Sequence, residues 1–134
     1  MTGEKTVLVV DDHNEVRSYI VEYIRSEPGY AVVGEASSGQ EAVALAASLR
    51  PDVIFMDISM PVMSGIEAVR RIREHFPVVK IVFVTIHDGE LFRTIAEFMH
   101  VDGYVCKNSL ISDLRAVLHR LKLPGGADQS ARYN

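Results

Sequence analysis

Short apolar runs rich in β-branched residues alternate along this chain with longer stretches in which apolar positions recur every three or four residues. The short runs fall near 5–10, 30–36, 52–56, 79–84 and 102–106 and predict strands. The longer stretches fall near 14–26, 39–49, 64–75, 88–99 and 109–121 and predict helices. Strict alternation of the two predicts an α/β fold, a mostly parallel sheet with helices on both faces. The runs Val7 to Val10, Val53 to Met56 and Ile81 to Val84 are continuously apolar, as strands covered on both faces are. The second run, Tyr30 to Glu35, is more mixed and suits an edge.

Local signals agree with this register. Ser38 precedes Glu41, and Ser64 precedes Glu67, at capping-box spacing; Asn14, Asp88 and Ser109 are N-cap candidates for the other helices. Pro28-Gly29, Pro51 and Pro77 fall between elements, where proline damages neither helix nor sheet. Met60-Pro61 reads as a rigid turn, and Gly65 as a residue serving the loop that starts the third helix. Leu114, Val117, Leu118 and Leu121 form a core-facing stripe on the last helix. Beyond Leu121 the periodicity ends. One domain over 1–122 is therefore expected, with 123–134, including Pro124-Gly125-Gly126, a flexible tail or the start of an interdomain linker.

Composition narrows the setting. A net charge of −4 argues against a general nucleic-acid or anionic-membrane surface, and no apolar stretch approaches spanning length. The N-terminal apolar run is short and meets two aspartates at once, unlike a secretory signal. The single cysteine, Cys106, reads as a small core residue, and a reducing cytoplasm is the simplest setting. His13, His75, His87, His100 and His119 lack metal-ligand spacing and suit surface or capping roles. Arg115, His119, Arg120 and Lys122 complement the dipole of the last helix better than they suit DNA.

The chemistry lies where the apolar runs stop. The first ends at Asp11-Asp12, the third at Asp57, the fourth at Thr85 and the fifth at Lys107. In a parallel sheet these ends share one edge, where open α/β sheets bind their ligands. Converging carboxylates repel one another without a cation, and Mg²⁺ takes one or two carboxylates while sharing its shell with phosphate oxygens. Lys107, directly after a buried strand, needs an acidic partner, which the same edge supplies. The combination points to Mg²⁺ and phosphate. No glycine-rich phosphate loop is present, and Ser59, Ser64 and Ser109 lack the context of a hydrolase nucleophile.

Val9-Val10-Asp11-Asp12, then Met56-Asp57-Ile58-Ser59-Met60-Pro61 with Gly65, then Thr85, then Gly103-Tyr104 and Lys107 resemble the receiver domain of two-component response regulators. The resemblance runs from Lys5 to Lys122. It implies a doubly wound, flavodoxin-like (βα)5 fold with strand order 2-1-3-4-5. It implies that Asp57 is the phosphoacceptor, that Asp12 and Asp57 ligate Mg²⁺ directly, that Asp11 acts through water, and that the Ser59 backbone carbonyl completes the protein ligands. Lys107 and Thr85 are then the phosphoryl-binding groups, and Thr85 with Tyr104 the switch pair. The implied partner is a sensor histidine kinase, with homodimerisation possible and no nucleic acid or membrane bound by this chain itself. The chain would be a signalling phosphoacceptor in the cytoplasm rather than an enzyme.

Asp12-His13, Thr85 with His87-Asp88, and Lys107-Asn108-Ser109 look most like the NarL-type subgroup, whose members often carry a C-terminal helix-turn-helix domain and regulate transcription. Asn108 stands where the family commonly has proline, and Ile86 where it usually has a small residue. Ser59, Ile86 and His87 are therefore expected to modulate access to the phosphoryl group. The alternative reading is a phosphorylation-independent pseudo-receiver acting as a protein-interaction module, with Ile86 obstructing the pocket. A haloacid-dehalogenase-like phosphatase would want an acid at position 59, and strand-end acids would repel a flavin phosphate.

Overall fold

The computed structural model describes residues 3–87 and 89–122. Five strands, β1 (Lys5–Val10), β2 (Tyr30–Ala36), β3 (Val53–Asp57), β4 (Lys80–Thr85) and β5 (Gly103–Cys106), alternate with five helices. The helices are α1 (Asn14–Arg25), α2 (Gly39–Leu49), α3 (Gly65–His75), α4 (Glu90–Phe98) and α5 (Leu110–Leu121), and a 3-10 turn at Lys107–Ser109 leads into α5. All pairings are parallel, in the order β2-β1-β3-β4-β5. The doubly wound fold is therefore as expected, and each boundary lies within two residues of the pattern-based reading.

Side chains alternate across a strand, so each apolar run divides between two cores. Leu8, Val10, Ile54, Met56, Ile81 and Phe83 face α2, α3 and Ala96 of α4. Val7, Val9, Val53, Phe55, Val82 and Val84 face Ile20 and Ile24 of α1 and Leu114, Val117 and Leu118 of α5. The predicted α5 stripe is buried in full, Leu121 included. Edge strand β2 also carries an irregularity, because Val7 pairs Val32 while Leu8 pairs Gly34.

The helix starts differ from expectation in detail. Ser38 Oγ accepts the Glu41 N–H at 3.1 Å, and Glu41 Oε1 accepts from the N–H of Ser37 at 2.8 Å, one residue earlier than a standard box. Ser64 Oγ accepts the Glu67 N–H at 3.2 Å, but the Glu67 carboxylate turns to Arg70 and Arg71 instead. Those two guanidiniums hold it low, at about 2. Asn14 is not the cap of α1. That position belongs to His13, whose N–H is held by Asp11 Oδ1, and Asn14 Oδ1 instead accepts from Arg17 at 2.9 Å. Gly89 occupies the cap position of α4, and Asp88 lies outside the described residues, as does 123–134. Ser109 holds the cap position of α5, yet its hydroxyl donates to Asp113 rather than accepting an N–H.

At the sheet edge opposite the strand-end acids, Asp102 ties the last units together. Its carboxylate accepts the Ile81 N–H at 2.8 Å and lies 3.8 Å from both Arg73 Nη2 and Lys80 Nζ, while Arg120 donates to its carbonyl at 2.7 Å. Asp102 is 7% exposed, so truncation strands a buried N–H and loosens two cations. Asp102→Ala should lower unfolding free energy by about 2–3 kcal/mol in urea titrations. A change below about 0.5 kcal/mol, the level of an ordinary surface site, would remove Asp102 as the organising residue.

Candidate functional site

Parallel register delivers the strand ends to one place. Val10 pairs Met56, and Asp57 pairs Val84, so Asp11, Asp57 and Thr85 emerge side by side. Thr85 in turn pairs Cys106, which brings Lys107 to the same edge. Asp11 and Thr85 are fully buried and Asp57 is 2% exposed. Lys107 Nζ lies 2.9 Å from Asp11 Oδ2 and 3.5 Å from Asp57 Oδ1. The lysine thus has the acidic partners its position demanded, with Asp11 nearer than Asp57.

One ammonium does not balance three carboxylates. Asp57 Oδ2 is buried without a hydrogen-bond partner, and Oδ1 has two long contacts, 3.4 Å from the Ser59 N–H and 3.5 Å from the Lys107 ammonium. Burial, reinforced by the negative charge of Asp11, pushes the Asp57 carboxyl up to about 7; Lys107 opposes the rise and Asp12 adds to it. Ligand atoms of Asp11, Asp12, His13 and Asp57 all lie within 4.8 Å of one another. A carboxylate set with an unsatisfied buried oxygen fits a hard divalent cation.

His13 was not foreseen in this cluster. Its Nδ1 lies 3.1 Å from Asp11 Oδ1 and 3.3 Å from Asp12 Oδ1, and its N–H donates to Asp11 Oδ1 at 2.9 Å. Spacing rules for histidine ligands look for two histidines on one helix; the signal here was simply adjacency to the acid pair. Arg17 Nη1 donates to the Asp11 carbonyl at 2.7 Å and Nε bonds Glu35 at 3.0 Å, which holds the loop from the β2 side.

Gly65 earns its place by closeness rather than by conformational freedom. Its N–H donates to the Ile58 carbonyl at 2.8 Å, and a Cβ built on it would lie 2.1 Å from the Asp57 carbonyl oxygen. The start of α3 is thereby laid directly on the end of β3. The intervening loop makes a tight turn in which the Met63 N–H reaches the Pro61 carbonyl at 2.8 Å across Val62, whose φ of 70 is strained for a β-branched residue.

Thr85 and Tyr104 are joined through a third residue. Thr85 Oγ1 accepts the His87 N–H at 3.0 Å, and the Tyr104 hydroxyl donates to the His87 carbonyl at 2.9 Å. The Arg93 guanidinium lies 4.6 Å from the centroid of the Tyr104 ring, and His87 stacks on Phe92 at 4.6 Å. Ser59, Ile86 and His87 are exposed, with Ile86 at 58%.

A doubly wound sheet with acids, a threonine and a lysine at its C-terminal edge defines a class of phosphate- and cation-handling domains. The model of the response regulator receiver domain matches residues 7–119, and the chain belongs to that family. It is 37% identical over 116 residues to the response regulator protein VraR of Staphylococcus saprophyticus, covering 85% of this chain and 54% of that protein. VraR of Staphylococcus aureus is 40% identical over 110 residues, covering 81% of this chain and 52% of the relative. The chain thus spans about half the length of the curated relatives it matches. Among solved structures, a LuxR-family two-component response regulator from Aurantimonas superposes with a TM-score of 0.84 at 34% identity, covering 94% of this chain and 90% of that one. The signal receiver domain of the putative response regulator NarL from Mycobacterium tuberculosis gives 0.78 at 28%, covering 87% and 94%. The NarL-type resemblance read from the motifs is borne out, and the chain is a receiver of two-component signalling. No helix among the described residues is long and apolar enough to cross a membrane.

Proposed function

We propose that Asp57 is the phosphoacceptor of this receiver, on one observation above all. It is a buried carboxylate at the sheet edge with an unpartnered oxygen, facing a lysine ammonium and two further acids. The Asp57 carboxylate attacks the phosphorus of a phosphohistidine on a sensor kinase; the P–N bond breaks, its electrons stay with the imidazole, and an acyl phosphate forms. Asp12, Asp57 and the Ser59 carbonyl would hold Mg²⁺, with Asp11 acting through water. Bound there, the metal supplies positive charge against the transferred group. Lys107 exchanges its contact with Asp57 for one to the phosphoryl oxygens.

Thr85 reads the new charge. Turning its hydroxyl to a phosphoryl oxygen withdraws it from the His87 N–H, and the His87 carbonyl is what holds the Tyr104 hydroxyl. The same residue therefore carries the signal from the pocket to the α4–β5 surface, as a shift between two packings. Ser59, Ile86 and His87 set the access of donor and water to the acyl phosphate.

Residues 1–122 form the receiver domain, and 123–134 is read as tail or linker. The greater length of the curated relatives leaves room for an output domain, and a similar solved structure from Staphylococcus aureus is described as a DNA-binding response regulator of the LuxR family; on this reading the output is a C-terminal DNA-binding domain, transcription is regulated from the cytoplasm and the receiver dimerises on activation. This chain itself acts as a signalling phosphoacceptor, not as a turnover enzyme. Intact mass spectrometry after incubation with Mg²⁺ and acetyl phosphate tests the proposal. One phosphoryl adduct is expected on the wild type and none on Asp57→Ala. An adduct that survives Asp57→Ala moves the acceptor elsewhere, and no adduct on wild type favours the pseudo-receiver.

A further inference from the structure

We infer that Asp113 is the positioning residue that holds Lys107 at the acidic pocket; only the catalytic consequence of this rests on the phosphoacceptor reading above. β5 is an edge strand, so backbone N–H groups on its outer side have no neighbouring strand to bond. The Cys106 N–H donates instead to Asp113 Oδ2 at 2.9 Å, and the Ser109 hydroxyl donates to the same oxygen at 2.9 Å. Those two donors flank Lys107 in sequence. One carboxylate oxygen therefore closes the Lys107–Ser109 turn from both sides.

Asp113 can serve as a fixed point because α5 is anchored by the fully buried Leu114, directly after it, and Leu118, one turn further on. Rigidity passes from the packed helix to the oxygen, then to the turn, then to the lysine Cα. A lysine side chain is long and flexible, so where its ammonium sits depends on how firmly its backbone is held. Here the ammonium must stay within reach of both Asp11 and Asp57 with only 10% of the side chain exposed.

Asn108 acquires a reason in the same arrangement. A proline at 108 would disfavour the helical conformation for Lys107, the residue preceding it. With asparagine there, Lys107 can open the 3-10 turn, and the restraint that a proline would supply through the chain is supplied by Asp113 through hydrogen bonds.

Two readouts test this. In Mg²⁺ and acetyl phosphate, Asp113→Ala should slow adduct formation between about tenfold and a hundredfold, the scale of a misplaced charged group. Ser109→Ala, which removes one arm, should slow it less. In a Lys107→Ala background, Asp113→Ala should produce no further loss, because both changes remove the same interaction. An equal loss in both backgrounds, or an unchanged rate in Asp113→Ala, overturns the assignment. The second readout is the ¹⁵Nζ resonance of Lys107 by NMR. It should be visible in the wild type and in Asp113→Asn, which keeps an acceptor, and exchange-broadened in Asp113→Ala. An Asp113→Ala protein that retains the resonance overturns the assignment whatever the rate. If the wild type takes up no phosphoryl group, the phosphoacceptor reading fails while this resonance still decides the role of Asp113.

Discussion

In metal-free buffer, Asp57→Asn is expected to be more stable than the wild type, and the margin should widen as pH rises from about 4 to about 7. The Asp57 carboxyl is pushed up to about 7 from an ordinary value of 3.8, first by burial, then by the charge of Asp11. Between those values the folded protein keeps a proton that the unfolded chain has released. Rising pH therefore favours unfolding across that window. Below it, both states hold the proton and the group contributes no pH dependence; above it, both have lost the proton and the full penalty is in place. Asparagine removes the titration while keeping the shape. At about one and a third kcal/mol per pKa unit, the margin above pH 7 should reach at most about 4 kcal/mol, less whatever the pocket relaxes.

Urea titrations of both proteins in a chelator, repeated across that pH range, measure this directly. Adding Mg²⁺ at pH 8 should then raise the midpoint of the wild type more than that of Asp57→Asn, because the ion binds the folded, ionised cluster. A margin that stays flat from pH 4 to 8 would show that Asp57 ionises as freely in the fold as in the open chain. The penalty assigned to burying the Asp57 charge beside Asp11 would then be absent.

Among the described glycines, Gly65→Ala should be the most damaging added methyl. The added carbon would sit 2.1 Å from the Asp57 carbonyl oxygen and 2.9 Å from its carbonyl carbon. Neither neighbour is the free end of a flexible side chain. Either α3 backs away from β3 or the strand end shifts, and in both cases Asp57 moves with its backbone. The expected loss is about 3 kcal/mol or more in denaturant titrations. Phosphoryl uptake should fall further than stability alone explains, measured well below the unfolding midpoint. By contrast, Gly89→Ala meets nothing within 4 Å and should leave stability nearly unchanged. Equal effects at the two glycines would refute the close approach as the reason for Gly65.

The elements were legible because their periods are local. Val7 to Val10 shows no amphipathic alternation because both of its faces are buried, and each helix shows its stripe because only one face is. The candidate site was legible for a related reason: in a parallel sheet every strand reaches the same edge, so naming the residue after each apolar run names the neighbours. Caps were read less well. Asn14 is the better N-cap by residue type, yet His13 takes the position without a side-chain cap bond, its N–H held by Asp11 Oδ1, a contact that composition does not show. Asp113 was invisible as part of the site, since an acid in the first turn of a helix ordinarily serves the helix dipole.

By itself the sequence determined the alternation of strand and helix, the split of each strand between two cores, and the set of residues assembled at the strand ends. These follow from hydrophobic periodicity and chain direction, which neighbours along the chain suffice to encode. Tertiary structure alone decided the pairings. It put Lys107 nearer to Asp11 than to Asp57, left one Asp57 oxygen unpartnered, laid Gly65 on the Asp57 backbone, and closed the Lys107 turn with Asp113. Each of these depends on a separation of a few ångströms between side chains carried by different elements. Sheet order, register and loop path set those separations, and none of the three is a property of any local stretch of sequence.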